Sequence, residues 1–131
     1  GRRLLTRVED VMRRDAALPR VSLESKLVDA ILEVTRKRMG MTAVEREDGT
    51  LVGVFTDGDM RRVLERGADI HSMTIGQAMS AGPVTIAPEA LAAEAVRLME
   101  ERRISALPVT DASGRMVGAL HIHDLLAAKV F

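Results

Sequence analysis

The stretch LVGVFTDGDMRR, Leu51 to Arg62, runs from an apolar strand through an acidic turn into a basic helix start, and its outline returns as MVGALHIHDLLA, Met116 to Ala127. Asp59 and Asp124 fall at the same place in the two copies, 65 residues apart. Extended outward, residues 21–62 align without a gap on residues 86–127. Glu24 meets Glu89, Arg38 meets Arg103, Gly49 meets Gly114 and Gly53 meets Gly118. The apolar pattern repeats even where identities do not. Leu27, Ala30, Ile31 and Val34 form the stripe of an amphipathic helix, and Ala92, Ala95, Val96 and Met99 form it again, whereas Asp29, Glu33, Arg36 and Lys37 lie off it. A repeat of this length marks two copies of one supersecondary unit.

Each copy reads strand, helix, strand, tight turn, strand, helix. The helix of Glu24 to Arg38 is followed by a hairpin, Met41 to Glu45 and Leu51 to Phe55 around Asp48-Gly49. Ala106 to Thr110 and Met116 to Leu120 around Ser113-Gly114 repeat the hairpin. Closing helices follow at Gly58 to Glu65 and Ile122 to Lys129. Val8 to Met12 and Ile75 to Met79 echo one another as lead-in helical turns. The organisation predicted is a linker and lead-in helix over residues 1–20, a first unit over 8–66, an inter-unit linker over 67–74 and a second unit over 75–131. The fold class is α/β in the broad sense, α+β in detail: two β-α-β-β-α units. Neither sheet buries both faces alone, so the reading places the units face to face around a pseudo-twofold axis with ligands in the cleft between them.

Composition narrows the function. With 131 residues, 47% hydrophobic, the chain supports one core or two small ones. Formal net charge is zero and only two Phe represent the aromatics, so neither a basic footprint nor a base-stacking platform exists, and nucleic acid is not the expected partner. No apolar run approaches the roughly 20 residues of a membrane helix, and the charged start lacks a signal peptide's apolar region. Cys is absent, which removes disulfides and thiol nucleophiles and fits a reducing compartment; a soluble, cytoplasmic chain is the default.

Two explanations compete for the corner. Thr56-Asp57-Gly58-Asp59 has the spacing of a capping box, in which hydroxyl and carboxylate satisfy each other's backbone N–H groups. Alternatively, a carboxylate at a cleft accepts hydrogen bonds from two adjacent ribose hydroxyls, while the preceding Thr and helix N–H groups hold a phosphate. In the second copy His121 stands where Thr56 stands, and Asp124 stays.

A strand ending Gly-h-h-Thr/Ser-x-x-Asp, with h apolar, found twice in about 130 residues, resembles the tandem CBS domain pair, or Bateman module. Gly53 to Asp59 matches the pattern throughout, and Gly118 to Asp124 departs at His121. The resemblance implies that Asp holds a ribose and that Thr or Ser lies near phosphates. The runs ILEVTRKRMGMT (Ile31 to Thr42), FTDGDMRR (Phe55 to Arg62) and LHIHDLL (Leu120 to Leu126) are similar to the C-terminal CBS pair of D-arabinose 5-phosphate isomerases. In that family a sugar isomerase domain precedes the pair, and the product feeds synthesis of Kdo, the acidic sugar of lipopolysaccharide. The resemblance implies a regulatory ligand, either CMP-Kdo, the end-product nucleotide sugar, or an adenine nucleotide, and a homodimer through flat helical faces such as Met60 to Leu64 and Leu125 to Val130.

The candidate ligand-binding residues of the first copy are Met41, Thr42, Thr56, Asp57, Asp59, Arg61 and Arg62; those of the second are Thr85, Ala106, Leu107, Pro108, His121, His123 and Asp124. Arg61 and Arg62 follow Asp59, whereas Leu125 and Leu126 follow Asp124, which makes the first copy the more anion-friendly. Met41, Met99 and Met116 also read as packing residues. Arg36, Lys37 and Arg38 read as a solvated helix end. The run His121-Ile122-His123-Asp124 invites a metal, but with only His71 elsewhere no metal site is assigned. No catalytic set and no cofactor are assigned. A ligand-free oligomerisation module is the remaining alternative.

Overall fold

The structure, a computed structural model, describes residues 5–131; residues 1–4 of the expected linker lie outside the described residues. In chain order the elements are α1 (Val8–Val11), β1 (Arg20–Ser22), α2 (Leu27–Lys37), β2 (Met41–Glu45), β3 (Leu51–Thr56), α3 (Asp57–Glu65), α4 (Ile75–Ala78), β4 (Ser80–Ala81), α5 (Ala92–Arg102), β5 (Ala106–Thr110), β6 (Met116–His121) and α6 (Ile122–Ala127). The mixed α+β architecture expected from the repeat is present. Strand ends shift by one residue: β3 and β6 extend to Thr56 and His121, the capping residues themselves.

The chain divides into two compact units, residues 19–83 and residues 5–18 with 84–131. In the first of these, the sheet order is β1-β2-β3-β4, with β1 parallel to β2 and the other pairs antiparallel. Its core joins Leu27 and Ala30 of α2, Val44, Phe55, Val63 of α3 and Ile75 of α4. In the other unit β5 and β6 form the hairpin, flanked by single bridges from Ile86 to Val109 and from Arg13 to Ala119. Val8, Met12, Ala92, Ala95, Val96, Met99, Leu107, Val109, Leu120 and Leu125 make its core. The lead-in turns are thus exchanged: α1 packs with the second repeat's hairpin and helices, and α4 with the first repeat's. Sequence repeats and compact units therefore divide the chain at different places.

The two units copy each other in detail. Both hairpins turn at a glycine with positive φ, Gly49 at 88° and Gly114 at 82°, a conformation that a β-carbon disfavours. Register shifts fall at Val44/Glu45 and at Val109/Thr110, matching positions of the repeat. Helices α2 and α5 both end on a left-handed Arg, Arg38 with φ 58° and Arg103 with φ 54°. Met41, Met99 and Met116 are buried as packing residues. Glu33, which lies off the apolar stripe of α2, is also buried, because it pairs with Arg36 at 3.1 Å and Lys37 at 3.2 Å and accepts from the Arg20 N–H at 3.1 Å. Two of the three basic residues at that helix end thus have a carboxylate partner.

Candidate functional site

The first corner is built by β3 running directly into α3. Thr56 is the N-cap, in extended conformation, and its hydroxyl accepts from the Asp59 N–H at 3.2 Å. Asp59 Oδ2 accepts from the Thr56 N–H at 2.9 Å and from its hydroxyl at 3.2 Å, which completes a capping box. Asp59 Oδ1 accepts from the Ser80 hydroxyl at 2.8 Å and is paired with Arg62 one turn along α3. Only 3% of Asp59 is exposed. A carboxylate offers about four lone-pair positions, and here four donors meet them.

Ser80 reaches this carboxylate because β4 pairs with β3, setting Ser80 opposite Val54 and Ala81 opposite Gly53. Gly53 is required at that crossing. A β-carbon there would stand 2.6 Å from Met79 Sδ and 2.9 Å from the Ser80 carbonyl oxygen. Gly118 plays the same part in the second repeat, where a β-carbon would collide with Met12.

The second corner keeps the plan and changes the groups. His121 is the N-cap of α6, and its Nδ1 accepts from the His123 N–H at 3.1 Å, so the imidazole replaces the Thr56 hydroxyl as capping acceptor. That bond requires an unprotonated Nδ1. Partial burial lowers the His121 pKa, and the neighbouring His123 and Arg13 lower it further against the opposing pull of Asp124. The two imidazole rings lie 4.6 Å apart. Asp124 is held by Arg13, whose Nε donates to Oδ2 at 2.8 Å and whose NH2 group donates to Oδ1 at 3.3 Å. Arg13 lies opposite Ala119 just as Ser80 lies opposite Val54, and Ala119 is the repeat's equivalent of Val54. The two residues after the lead-in turns, Ser80 and Arg13, therefore occupy one structural position.

Of the candidates in the first copy, the structure gathers Thr56, Asp59 and Arg62, with Met41 opposite Thr56 in the β-ladder. Met41 and Thr42 are buried, and the Thr42 hydroxyl donates to the Ala43 carbonyl at 3.2 Å. Asp57 and Arg61 are exposed. In the second copy His121, His123 and Asp124 converge with Arg13, and Ala106 lies opposite His121 in the ladder. Leu107 and Pro108 are buried, and Thr85 is half-buried beside the Ile86 bridge. Aligned at the repeat's spacing, Arg61 meets Leu126 and Arg62 meets Ala127. Each carboxylate nevertheless has one guanidinium, from within the helix at Asp59 and from the lead-in segment at Asp124.

Ser80 and Arg13 are the partners of the corner aspartates that sequence reasoning missed. Each lies one residue beyond a recognised lead-in echo. Among the described residues, no group of three or more His, Asp or Glu is placed to hold a metal ion, and no helix is long and apolar enough to cross a membrane. A groove of about 650 Å³ lined by Arg20, Ser22, Glu24, Glu45, Arg46 and Glu47 opens at the other end of β1 and β2, away from Asp59. It contains none of the candidate residues.

Comparison with known proteins gives the same outline. The model of the CBS domain family matches residues 8–66 and again residues 75–130. Arabinose 5-phosphate isomerase KdsD of Pseudomonas aeruginosa is 53% identical over 130 residues, which is 99% of this chain and 40% of that protein. The protein of the same name from Escherichia coli K12 is 43% identical over 99% of this chain and 39% of its own length. The chain spans about two-fifths of the length of the curated relatives it matches. Among solved structures, CBSX2 in complex with AMP superposes with a TM-score of 0.81 at 24% identity, covering 95% of this chain and 96% of that one. The CBS domain pair of MJ0100, in complex with 5′-methylthioadenosine and S-adenosyl-L-methionine, gives 0.84 at 21% identity, covering 95% and 96%. At these identities the likeness establishes the fold.

Proposed function

From the premise that the chain belongs to the CBS domain family, as two copies in tandem, we propose that it is the ligand-sensing regulatory pair of an arabinose 5-phosphate isomerase, and that its ligand is a nucleotide or nucleotide sugar. One observation carries the ligand class: a carboxylate recurs at the same strand-to-helix corner of both repeats, each time with a guanidinium against it. A carboxylate accepts the two hydroxyls of a ribose, and a guanidinium binds a phosphate or carboxylate. The isomerase assignment is supported by identity with the KdsD proteins over nearly the whole chain. The pair itself turns over no substrate in this reading; the purified chain leaves ribulose 5-phosphate and arabinose 5-phosphate unconverted.

Among nucleotide sugars the reading favours CMP-Kdo. It offers a ribose diol for a corner carboxylate, and a phosphate and a sugar carboxylate for the arginines. AMP is the alternative, since a protein of this fold is known in complex with it. Feedback requires the ligand to prefer one state of the whole enzyme. The chain works in this reading as a homodimer, with Leu64 and Leu126 supplying outward apolar surface on α3 and α6, while Leu125 is committed to the core. Differential scanning of the chain with CMP-Kdo, AMP and ATP at equal concentrations tests the class and ranks its members. Stabilisation by none of them returns the chain to a ligand-free oligomerisation module.

A further inference from the structure

The two corners are not equally open, and they differ at the cap, at the residue after the lead-in turn and at the helix position of Arg62. At Asp59 the capping box, the Ser80 hydroxyl and Arg62 fill the carboxylate, which is 3% exposed. At Asp124 the His121 imidazole replaces the Thr56 hydroxyl as capping acceptor, and no capping box folds the carboxylate back onto its own helix start. Its hydrogen bonds come from the Arg13 fork, and both side chains remain more than a quarter exposed, 29% for Asp124 and 28% for Arg13. A diol approaching Asp59 must displace donors from a buried group. One approaching Asp124 must displace a half-exposed guanidinium.

The geometry points to Arg13 as the residue that makes the second corner selective for a phosphorylated nucleoside. Without ligand, its fork neutralises Asp124. With ligand, the ribose diol takes the carboxylate and the guanidinium passes to the phosphate, so that neither charge is left unpaired. His123, exposed beside them, supplies a further donor, while His121 stays neutral as the cap. The first repeat has Ser80, an uncharged hydroxyl, at the same position, and the guanidinium of that corner, Arg62, comes from α3 and is paired with the buried Asp59. The inference rests on the nucleotide reading above and goes further by naming the corner and the residue that recognises phosphate.

Calorimetric titration of the chain with AMP and with adenosine tests it. The wild type is expected to prefer AMP by about 10- to 100-fold, the worth of one charge-assisted recognition. Arg13→Ser installs the residue found at the matching place in the first repeat. It should cut the preference to under about threefold while adenosine binds at least as well as before. Arg13→Lys, which keeps the charge and loses the fork, should fall between the two and serves as the reading if the serine variant does not fold by circular dichroism. A preference for AMP that survives both substitutions overturns the inference and leaves the nucleotide reading standing. So does AMP binding undiminished by Asp124→Asn. Saturable binding of neither ligand to the wild type overturns this inference, and failure of CMP-Kdo to bind as well overturns the nucleotide reading with it.

Discussion

Replacing the two corner aspartates by alanine should separate their roles, although they are equivalent in sequence. Asp59→Ala removes the acceptor of four donors. Ser80 and Arg62 are exposed and turn to water at little cost, whereas the Thr56 N–H is fixed in the backbone and loses its partner. A lost N-cap interaction costs about 1 kcal/mol, and a buried donor left bare costs about 1–3 kcal/mol. These overlap, so the expected loss is about 2–3 kcal/mol. Asp124→Ala breaks an ion pair whose two members are each more than a quarter exposed. Such pairs contribute about 0–1 kcal/mol, and the His121 cap survives the change. At about 3–6 °C per kcal/mol for a chain of this size, Asp59→Ala should lower the melting temperature by roughly 6–18 °C and Asp124→Ala by less than about 6 °C. Thermal and urea unfolding of both variants, followed by circular dichroism, give the comparison. An Asp124→Ala loss equal to or larger than that of Asp59→Ala would refute the lone-pair accounting on which the asymmetry rests.

Gly53→Ala should cost about 1–3 kcal/mol in urea unfolding, because its β-carbon meets the Ser80 carbonyl at 2.9 Å, and β4 must move to admit it. Arg38→Gly and Arg103→Gly should each raise stability by about 0.5–1 kcal/mol in the same assay, since both residues hold the left-handed conformation at a helix end. Stability should also depend on pH through His121. Its folded pKa lies below the ordinary 6.5, so the unfolded chain takes up the proton first. The contribution is intact above pH 6.5 and is lost as pH falls through the folded value. His121→Thr, which installs the first repeat's capping residue, should flatten this part of the melting profile below the ordinary 6.5.

Most of the fold is legible in the sequence because the repeat supplies each pattern twice. The apolar stripe of Ala92, Ala95, Val96 and Met99 supports that of Leu27, Ala30, Ile31 and Val34, and the Gly49 and Gly114 turns set both hairpins. The exchange of lead-in turns was not legible. A four-residue apolar turn such as Val8–Val11 carries no local signal for which hairpin it will join, and long-range pairings such as Arg13 with Ala119 decide the matter. For the same reason the sequence marks Thr56, Asp59, His121 and Asp124 and passes over Ser80 and Arg13. The first four belong to one strand-helix junction in each repeat, while the last two arrive from 21 and 111 residues away. Glu33 shows the limit of periodicity in another way. Its place off the apolar stripe predicts solvent, but ion pairs with Arg36 and Lys37 and a backbone donor at Arg20 let the carboxylate be buried.

Whether this CBS pair senses a nucleotide or nucleotide sugar can be read from the melting temperature of the purified chain against increasing concentrations of CMP-Kdo and AMP. A ligand at 100 times its dissociation constant stabilises the folded state by about 2.7 kcal/mol, which for a chain of this size is a rise of roughly 8–16 °C. A saturable rise of that order is expected with at least one of the two, reduced by Asp124→Ala. A melting temperature unchanged by either ligand up to millimolar concentration would contradict it.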